Sequence, residues 1–144
     1  MATGDRKDPY VSCQFLVEID GVTKLGFREC SGLDSAQDPV EYREGNEGPT
    51  VRKLPGLTKY SNISLKRGVT DDTQICKWRE NASEGKIERK NGSIILLDHE
   101  RKEKVRWNFV NAWPTKWTGP TFNATANEVA IEQLDLAHEG VKRA

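Results

Sequence analysis

Catalysis or metal binding needs donors and nucleophiles at set spacings. In this 144-residue chain the candidates start with two histidines and three cysteines. His99 lies in the charged stretch His99-Glu100-Arg101-Lys102-Glu103, and His138 lies near the C-terminus. Neither belongs to a spaced ligand set such as HExxH, so no metal is expected. Cys13, Cys30 and Cys76 contain no CxxC pair and are odd in number, which supports neither a disulfide framework nor a zinc knuckle. Cys13 falls in an alternating apolar pattern, where a thiol acts as a small hydrophobe. Unpaired cysteines fit synthesis in a reducing compartment. There is no GxSxG elbow, and Gly85-Lys86 lacks the upstream glycine of a phosphate loop. The carboxylates are scattered among Lys and Arg rather than paired in apolar surroundings, where perturbed acids would be expected. Asn62, Asn81, Asn91 and Asn123 each open an N-x-S/T sequon, which carries meaning only for an exported chain. The expectation is a protein without catalytic residues, cofactor or metal.

The aromatic residues are more informative. Trp107, Phe109, Trp113, Trp117 and Phe122 fall within 16 residues, interrupted by Pro114, Gly119 and Pro120. Single-strand nucleic-acid platforms also combine aromatics with Lys and Arg. However, Lys+Arg and Asp+Glu both total 22, and a nucleic-acid surface needs a basic surplus. The cluster therefore reads as aromatics that pin a turn onto the core, with no specific nucleic-acid recognition.

Mostly strands must carry these residues. Val11, Cys13, Phe15, Val17 and Ile19 alternate through residues 10–19 and predict a half-buried strand. Asp20-Gly21 follows as a hairpin signal, and the return strand carries Val22, Leu25 and Phe27. A second pair is expected at Val40–Glu44 and Val51–Lys53 around the protruding loop Gly45-Asn46-Glu47-Gly48-Pro49. Leu54-Pro55-Gly56-Leu57 reads as a turn, and residues 59–67 as a strand closed by Gly68. Then the period changes. Thr70-Asp71-Asp72 offers capping oxygens, and Ile75, Trp78 and Ala82 follow at helical spacing, giving a short helix over about 71–82 ended by Gly85. Ser93–Asp98 and Lys104–Asn111 are expected strands around the polar turn at 99–103. Asn127–His138 reads as a last strand, and the slip in apolar phase between Val129/Ile131 and Leu134/Leu136 suggests a bulge. The sum is a mainly β domain with one short helix.

Length allows a single domain. The longest apolar runs are stubs such as Ile94-Ile95-Leu96-Leu97, far below the ~18 residues of a membrane span, so no membrane anchoring is expected. Met1–Asp8 has no apolar signal core, so export through a signal peptide is not expected and cytoplasmic synthesis is. Hydrophobic content is only 35%, low enough that a partner is expected to cover part of the chain. The zero net charge hides two opposed halves, with residues 1–50 at −5 and residues 51–144 at +5. Such halves suit a subunit that meets copies of itself, although solvated faces that mix in the fold would give the same count.

Several segments together resemble a known family. They are Phe27-Arg28-Glu29-Cys30-Ser31-Gly32-Leu33, Glu41-Tyr42-Arg43-Glu44-Gly45-Asn46 and Arg52-Lys53-Leu54-Pro55-Gly56-Leu57, followed by Asn62-Ile63-Ser64-Leu65-Lys66-Arg67-Gly68, Trp107-Asn108-Phe109-Val110-Asn111-Ala112-Trp113-Pro114 and Asn127-Glu128-Val129-Ala130-Ile131-Glu132. In order and spacing, over about residues 8–143, they resemble the phage T4-like tail tube proteins, and look most like inner-tube subunits of contractile injection systems. The resemblance implies one tail-tube domain over 1–144, with a flexible N-terminal arm at 1–8. Its fold would be two packed antiparallel sheets, a sandwich or barrel, with one flanking helix. It implies hexameric rings whose sheets join between subunits into a hollow tube. The implied partners are other copies, a contractile sheath, baseplate and spike proteins, and effector cargo in the lumen. Assembly would occur in the cytoplasm, with a final place in a phage tail or injection particle.

Carried over by position, the resemblance assigns residues 42–57 to an extended inter-subunit loop. Its contact residues would be Tyr42, Arg43, Glu44, Gly45, Asn46 and Glu47, with Arg52, Lys53, Leu54, Pro55 and Gly56. An ordinary hairpin tip would also fit these residues. The expected core is Phe15, Val17, Trp78, Trp107, Phe109, Trp113 and Trp117. Gln37-Asp38-Pro39 and Cys76 depart from common family usage, at the base of the loop and in the helix. Two alternatives stand beside the tube subunit: a tube-initiator or baseplate component of the same fold, and a monomeric binding module that uses the Trp cluster.

Overall fold

A computed structural model describes residues 14–20, 22–43, 45, 48–70, 73–125 and 127–144. The expected arm at 1–8, the strand positions Val11 and Cys13, Gly21, and the capping residues Asp71 and Asp72 lie outside them. The elements in chain order are β1 (Phe15–Ile19), β2 (Val22–Leu25), β3 (Glu29–Ser31), β4 (Ser35–Tyr42), β5 (Arg52–Tyr60), β6 (Ile63–Gly68), α1 (Gln74–Ser83), β7 (Lys90–Leu97), β8 (Glu103–Thr118), β9 (Ile131–Ala137) and β10 (Gly140–Arg143).

Every pairing is antiparallel, and β8 is the hinge of the architecture. Its first half pairs with β7 on one edge and β10 on the other, while its second half pairs with β9. The path runs β2-β1-β7-β8-β9-β6-β3, so two sheets share one sixteen-residue strand. The strand changes sheets at Asn111, which takes φ +52, a conformation that Asn tolerates better than most residues. Asn91 Oδ1 accepts the Asn111 N–H at 3.0 Å, and Asn111 Nδ2 donates to Glu139 at 2.7 Å. Val17, Ile19, Ile94 and Phe109 from one sheet and Ile63, Leu65, Leu134 and Leu136 from the other close on one core, which α1 joins through Ile75 and Trp78. Trp78 also donates its ring N–H to the Glu88 carbonyl at 2.7 Å.

Several sequence expectations change. No turn forms at Leu54-Pro55-Gly56-Leu57, because β5 runs straight through it. The expected strand at 59–67 is two strands, broken at Ser61-Asn62. The helix begins at Gln74 rather than 71, with Thr73 as its cap and no side-chain cap bond. It ends before Gly85, which takes φ +88. The aromatics around Pro114 do not pin a turn. β8 continues past Pro114 with a register shift between Pro114 and Lys116, which is how a residue without an N–H is accommodated inside a sheet. The predicted bulge in the last strand is absent. β9 keeps an unbroken register with β6, and the irregularity sits in the facing strand β8.

Candidate functional site

β4 and β5 form a two-stranded ribbon that joins neither sheet. Its register places Tyr42 opposite Arg52, Glu41 opposite Lys53, Val40 opposite Leu54 and Pro39 opposite Pro55, and then shifts between Gln37 and Pro39. Side chains alternate along a strand, so paired positions share a face. Val40, Tyr42, Leu54 and Arg52 therefore lie on one face, with Glu41, Lys53 and the two prolines on the other. The apolar members Val40, Tyr42 and Leu54 are 44–52 % exposed, and Leu57 is more open still. An isolated hairpin is marginally stable in water, and this one leaves an apolar face uncovered.

The base of the ribbon is anchored. Ser61 N–H donates to the Asp34 carbonyl at 3.2 Å, His138 Nε2 lies 2.9 Å from the Ser61 carbonyl, and the Tyr60 and His138 rings meet at a 50° tilt with centroids 5.6 Å apart. His138 is thus a structural residue at the foot of the ribbon. At the register shift, Gln37 Nε2 donates to the Gly56 carbonyl at 3.3 Å, and a side chain at Gly56 would collide with the Asp38 carbonyl oxygen. The Asp38–Lys59 pair at 3.0 Å is solvent-exposed on both sides and contributes about 0–1 kcal/mol. Of the expected contact residues, the structure brings Tyr42, Arg52, Lys53, Leu54, Pro55 and Gly56 together on the ribbon, with Arg43 and Gly45 just beyond β4. Glu44, Asn46 and Glu47 lie outside the described residues.

The expected core residues divide. Val17, Trp78 and Phe109 are buried, and Phe15 and Trp107 pack against the core from partly buried positions. Trp113 is half-buried. Trp117 is 42 % exposed, because it follows the register shift at the outer end of β8; it is not a core anchor. Phe122, another member of the aromatic cluster, is 83 % exposed.

Sequence reasoning missed a buried ion pair. On the core face of the β6–β9 pair the rungs are Ile63/Leu136, Leu65/Leu134 and Arg67/Glu132. Arg67 Nε donates to Glu132 Oε1 at 2.6 Å, with side chains only 7 % and 10 % exposed. Trp117 Nε1 donates to Glu132 Oε2 at 3.3 Å, and the Arg67 guanidinium lies 5.7 Å from the Phe27 ring centre. Glu132 lies in strict alternation with Leu134 and Leu136, and Arg67 with Leu65 and Ile63. That alternation was the available signal, and Glu132 at an inward position explains the apparent slip of apolar phase.

A groove of about 360 Å³ is lined by apolar Phe15, Leu33, Ile94, Leu96 and Trp107 together with Cys30 and the charged Arg28 and Glu29. Burial pushes the Cys30 thiol up to about 11. At the β7–β8 turn, Asp98 Oδ1 accepts the N–H groups of Glu100 and Lys102. The Lys102 bond is the main reason its carboxyl sits below the usual range. Among the described residues, no cluster of His, Cys, Asp and Glu could hold a metal, and no helix is long and apolar enough to cross a membrane.

Residues 11–142 match the family model of the T4-like virus tail tube protein gp19. Among curated proteins nothing matches. Of solved structures, a chain of an extracellular contractile injection system, the PVC sheath-tube complex in its extended state, is 32% identical. That match covers 94% of this chain and 91% of that one, with a TM-score of 0.85. A chain of the anti-feeding prophage cap, the AFP tube terminating cap, is 31% identical over 99% of this chain and 95% of that one, with a TM-score of 0.88. Hcp1 from Flavobacterium johnsoniae, at 14% identity, 90% and 93% coverage and a TM-score of 0.56, shares the fold.

Proposed function

The chain belongs to the T4-like virus tail tube protein family, and from that premise we propose that it is the inner-tube subunit of a contractile injection system or phage-like tail. Copies form hexameric rings, the rings stack into a hollow tube, and a contractile sheath drives that tube through a target envelope from a baseplate with a spike. The lumen offers room for effector cargo. Assembly takes place in the cytoplasm, and the protein ends its path in the particle.

The observation that carries this reading is the ribbon β4–β5. A soluble monomer gains nothing from two exposed strands with an apolar face, and open strand edges invite unwanted pairing. A subunit that meets its own copies uses both. The 42–57 segment is then the inter-subunit element, with Tyr42, Arg43, Gly45, Arg52, Lys53, Leu54, Pro55 and Gly56 among its contacts.

The test is electron microscopy of the overexpressed protein, which should show rings and tubes. The double variant Arg52→Glu with Lys53→Glu should keep a native circular dichroism spectrum and form rings or monomers only. Tubes of normal length from that variant would count against the ribbon's role. A tube initiator or cap of the same fold would be present in a few copies per purified particle, whereas the tube subunit would recur along its length.

A further inference from the structure

We propose that the buried Arg67–Glu132 pair is a register lock, which selects one alignment of β6 against β9 where the aliphatic rungs alone would accept another. Side chains on a strand repeat every two residues, so a slip of one residue turns the whole inward set to the wrong face and is already excluded. A slip of two keeps every inward side chain inward. On the core face the first two rungs are Ile63/Leu136 and Leu65/Leu134, and aliphatic residues of similar volume exchange neighbours at small cost. The third rung does not tolerate the exchange. One slip sets Glu132 against Leu65 and Arg67 against Ala130, and the opposite slip sets Arg67 against Leu134 and Glu132 against Val69. Either moves the partners about 7 Å apart along the strands, which breaks a 2.6 Å bond between side chains only 7 % and 10 % exposed. A charge held there away from its partner is far costlier than a misfitted aliphatic contact.

The lock engages both neighbours of β9. Glu132 takes Arg67 of β6 on one oxygen and Trp117 of β8 on the other. Trp117 lies just past the register shift between Pro114 and Lys116, so the same carboxylate also marks where β8 places its extra residue. The outward face has a bond of its own, Ser64 Oγ to Asp135 Oδ1 at 2.8 Å. That face is only part-buried, and Gln133 Nε2 reaches the same oxygen at 3.0 Å, so water and a neighbouring amide can replace the bond after a slip. The geometry of the whole subunit depends on the choice. β6 follows β5 after Ser61-Asn62 and pairs with β3 on its other side, so a slipped β6 would displace the foot of the ribbon and β3 by about 7 Å. Closed symmetric assemblies need identical surfaces on every copy.

Cysteine pairs on the outward face report the register. Lys66→Cys with Gln133→Cys are opposite each other in the present register. Lys66→Cys with Ile131→Cys, and Lys66→Cys with Asp135→Cys, become opposite after a two-residue slip one way or the other. Each pair is placed in the full chain with its native core, and with the aliphatic cores Arg67→Met plus Glu132→Leu and Arg67→Leu plus Glu132→Met. Dilute subunits are unfolded in urea with reductant, refolded, oxidised and mapped by mass spectrometry for crosslinked peptides. A disulfide needs Cα atoms within about 7 Å, a limit that diagonal positions of a locked sheet reach or exceed. With the native core, the crosslink between positions 66 and 133 should dominate. With an aliphatic core, the slipped crosslinks should rise at least about tenfold while circular dichroism and urea stability stay near native. A purely stabilising role predicts no such change. Aliphatic cores that fold and still give the 66–133 crosslink alone would overturn the proposal. Failure of both aliphatic cores to fold would overturn it too, since the pair would then hold the strands together rather than choose between alignments.

Discussion

The buried Arg67–Glu132 pair gives the sharpest test of the fold. It occupies the third inward rung of β6 and β9, where the two preceding rungs are aliphatic. Both side chains are at least nine-tenths buried and 2.6 Å apart, and Trp117 holds the second carboxylate oxygen. Glu132→Gln keeps the shape and removes the carboxylate charge that the buried Arg67 guanidinium donates to. Breaking one side of a buried pair costs about 3–5 kcal/mol, a large part of the roughly 5–15 kcal/mol that holds a typical domain. At roughly 2–4 °C per kcal/mol for a chain near this size, the melting temperature should fall by about 10 °C. Replacing both partners, Arg67→Met with Glu132→Leu, removes the desolvation penalty and should return stability to the original level or up to about 4 kcal/mol above it. The assay is urea unfolding followed by circular dichroism, on subunits dilute enough to stay unassembled, since assembly raises apparent stability. The double-mutant cycle isolates the pair. A Glu132→Gln cost below about 1 kcal/mol, or a double variant as unstable as the worse single, would refute the burial of the pair.

Trp78→Ala should cost about 3–5 kcal/mol, because Trp78 is 4 % exposed and its ring N–H is bonded to Glu88. Trp117→Ala should cost less than half as much, and calorimetry of the two variants checks the order. Gly32→Ala should destabilise by well over the roughly 1–2 kcal/mol of a left-handed L-residue, since Gly32 takes φ +92 and a side chain there would strike the Asn62 carbonyl; thermal melts measure it. Cys30, raised to about 11 by burial, should resist iodoacetamide in native subunits near neutral pH and react at once after unfolding, as mass spectrometry would show. A thiol raised in this way favours the folded state fully below its unfolded value of about 8.5 and loses that contribution as pH climbs toward its folded value.

The sequence carried the fold class because most strands obey a simple period. Phe15, Val17 and Ile19 alternate, and the helix around Ile75 and Trp78 has the spacing that buries one face. It failed where one residue type carries two meanings. Pro55-Gly56 and Pro114 are turn signals in isolation, yet each lies in a strand, Pro114 beside a register shift and Pro55 opposite Pro39 on an exposed ribbon. Pairing with a distant strand decides such cases, and local propensity cannot see the partner. Glu132 was hidden for a related reason. A charge at an inward position reads as a break in the apolar phase until Arg67 is placed opposite it. The ribbon was legible as a short strand pair around a protruding loop, but not its length, because its extent depends on a cross-strand register that begins at Ser35.

That register also changes how the charges of the ribbon should be understood. Read along the chain, the mixed signs of Arg43, Glu44, Glu47, Arg52 and Lys53 suggest a strip meant for another subunit. In the folded ribbon Glu41 stands directly opposite Lys53, so opposite charges face each other across the two strands of one copy, where exposed charges are worth little. The other face exposes the apolar surface of Val40, Tyr42 and Leu54 to solvent. At about 25 cal/mol per Å² of apolar surface removed from water, covering three side chains of this size outweighs a solvated ion pair. Rings and stacks repeat that burial at each interface. In the assembly proposed above, it is this apolar face that would supply the driving force when copies meet.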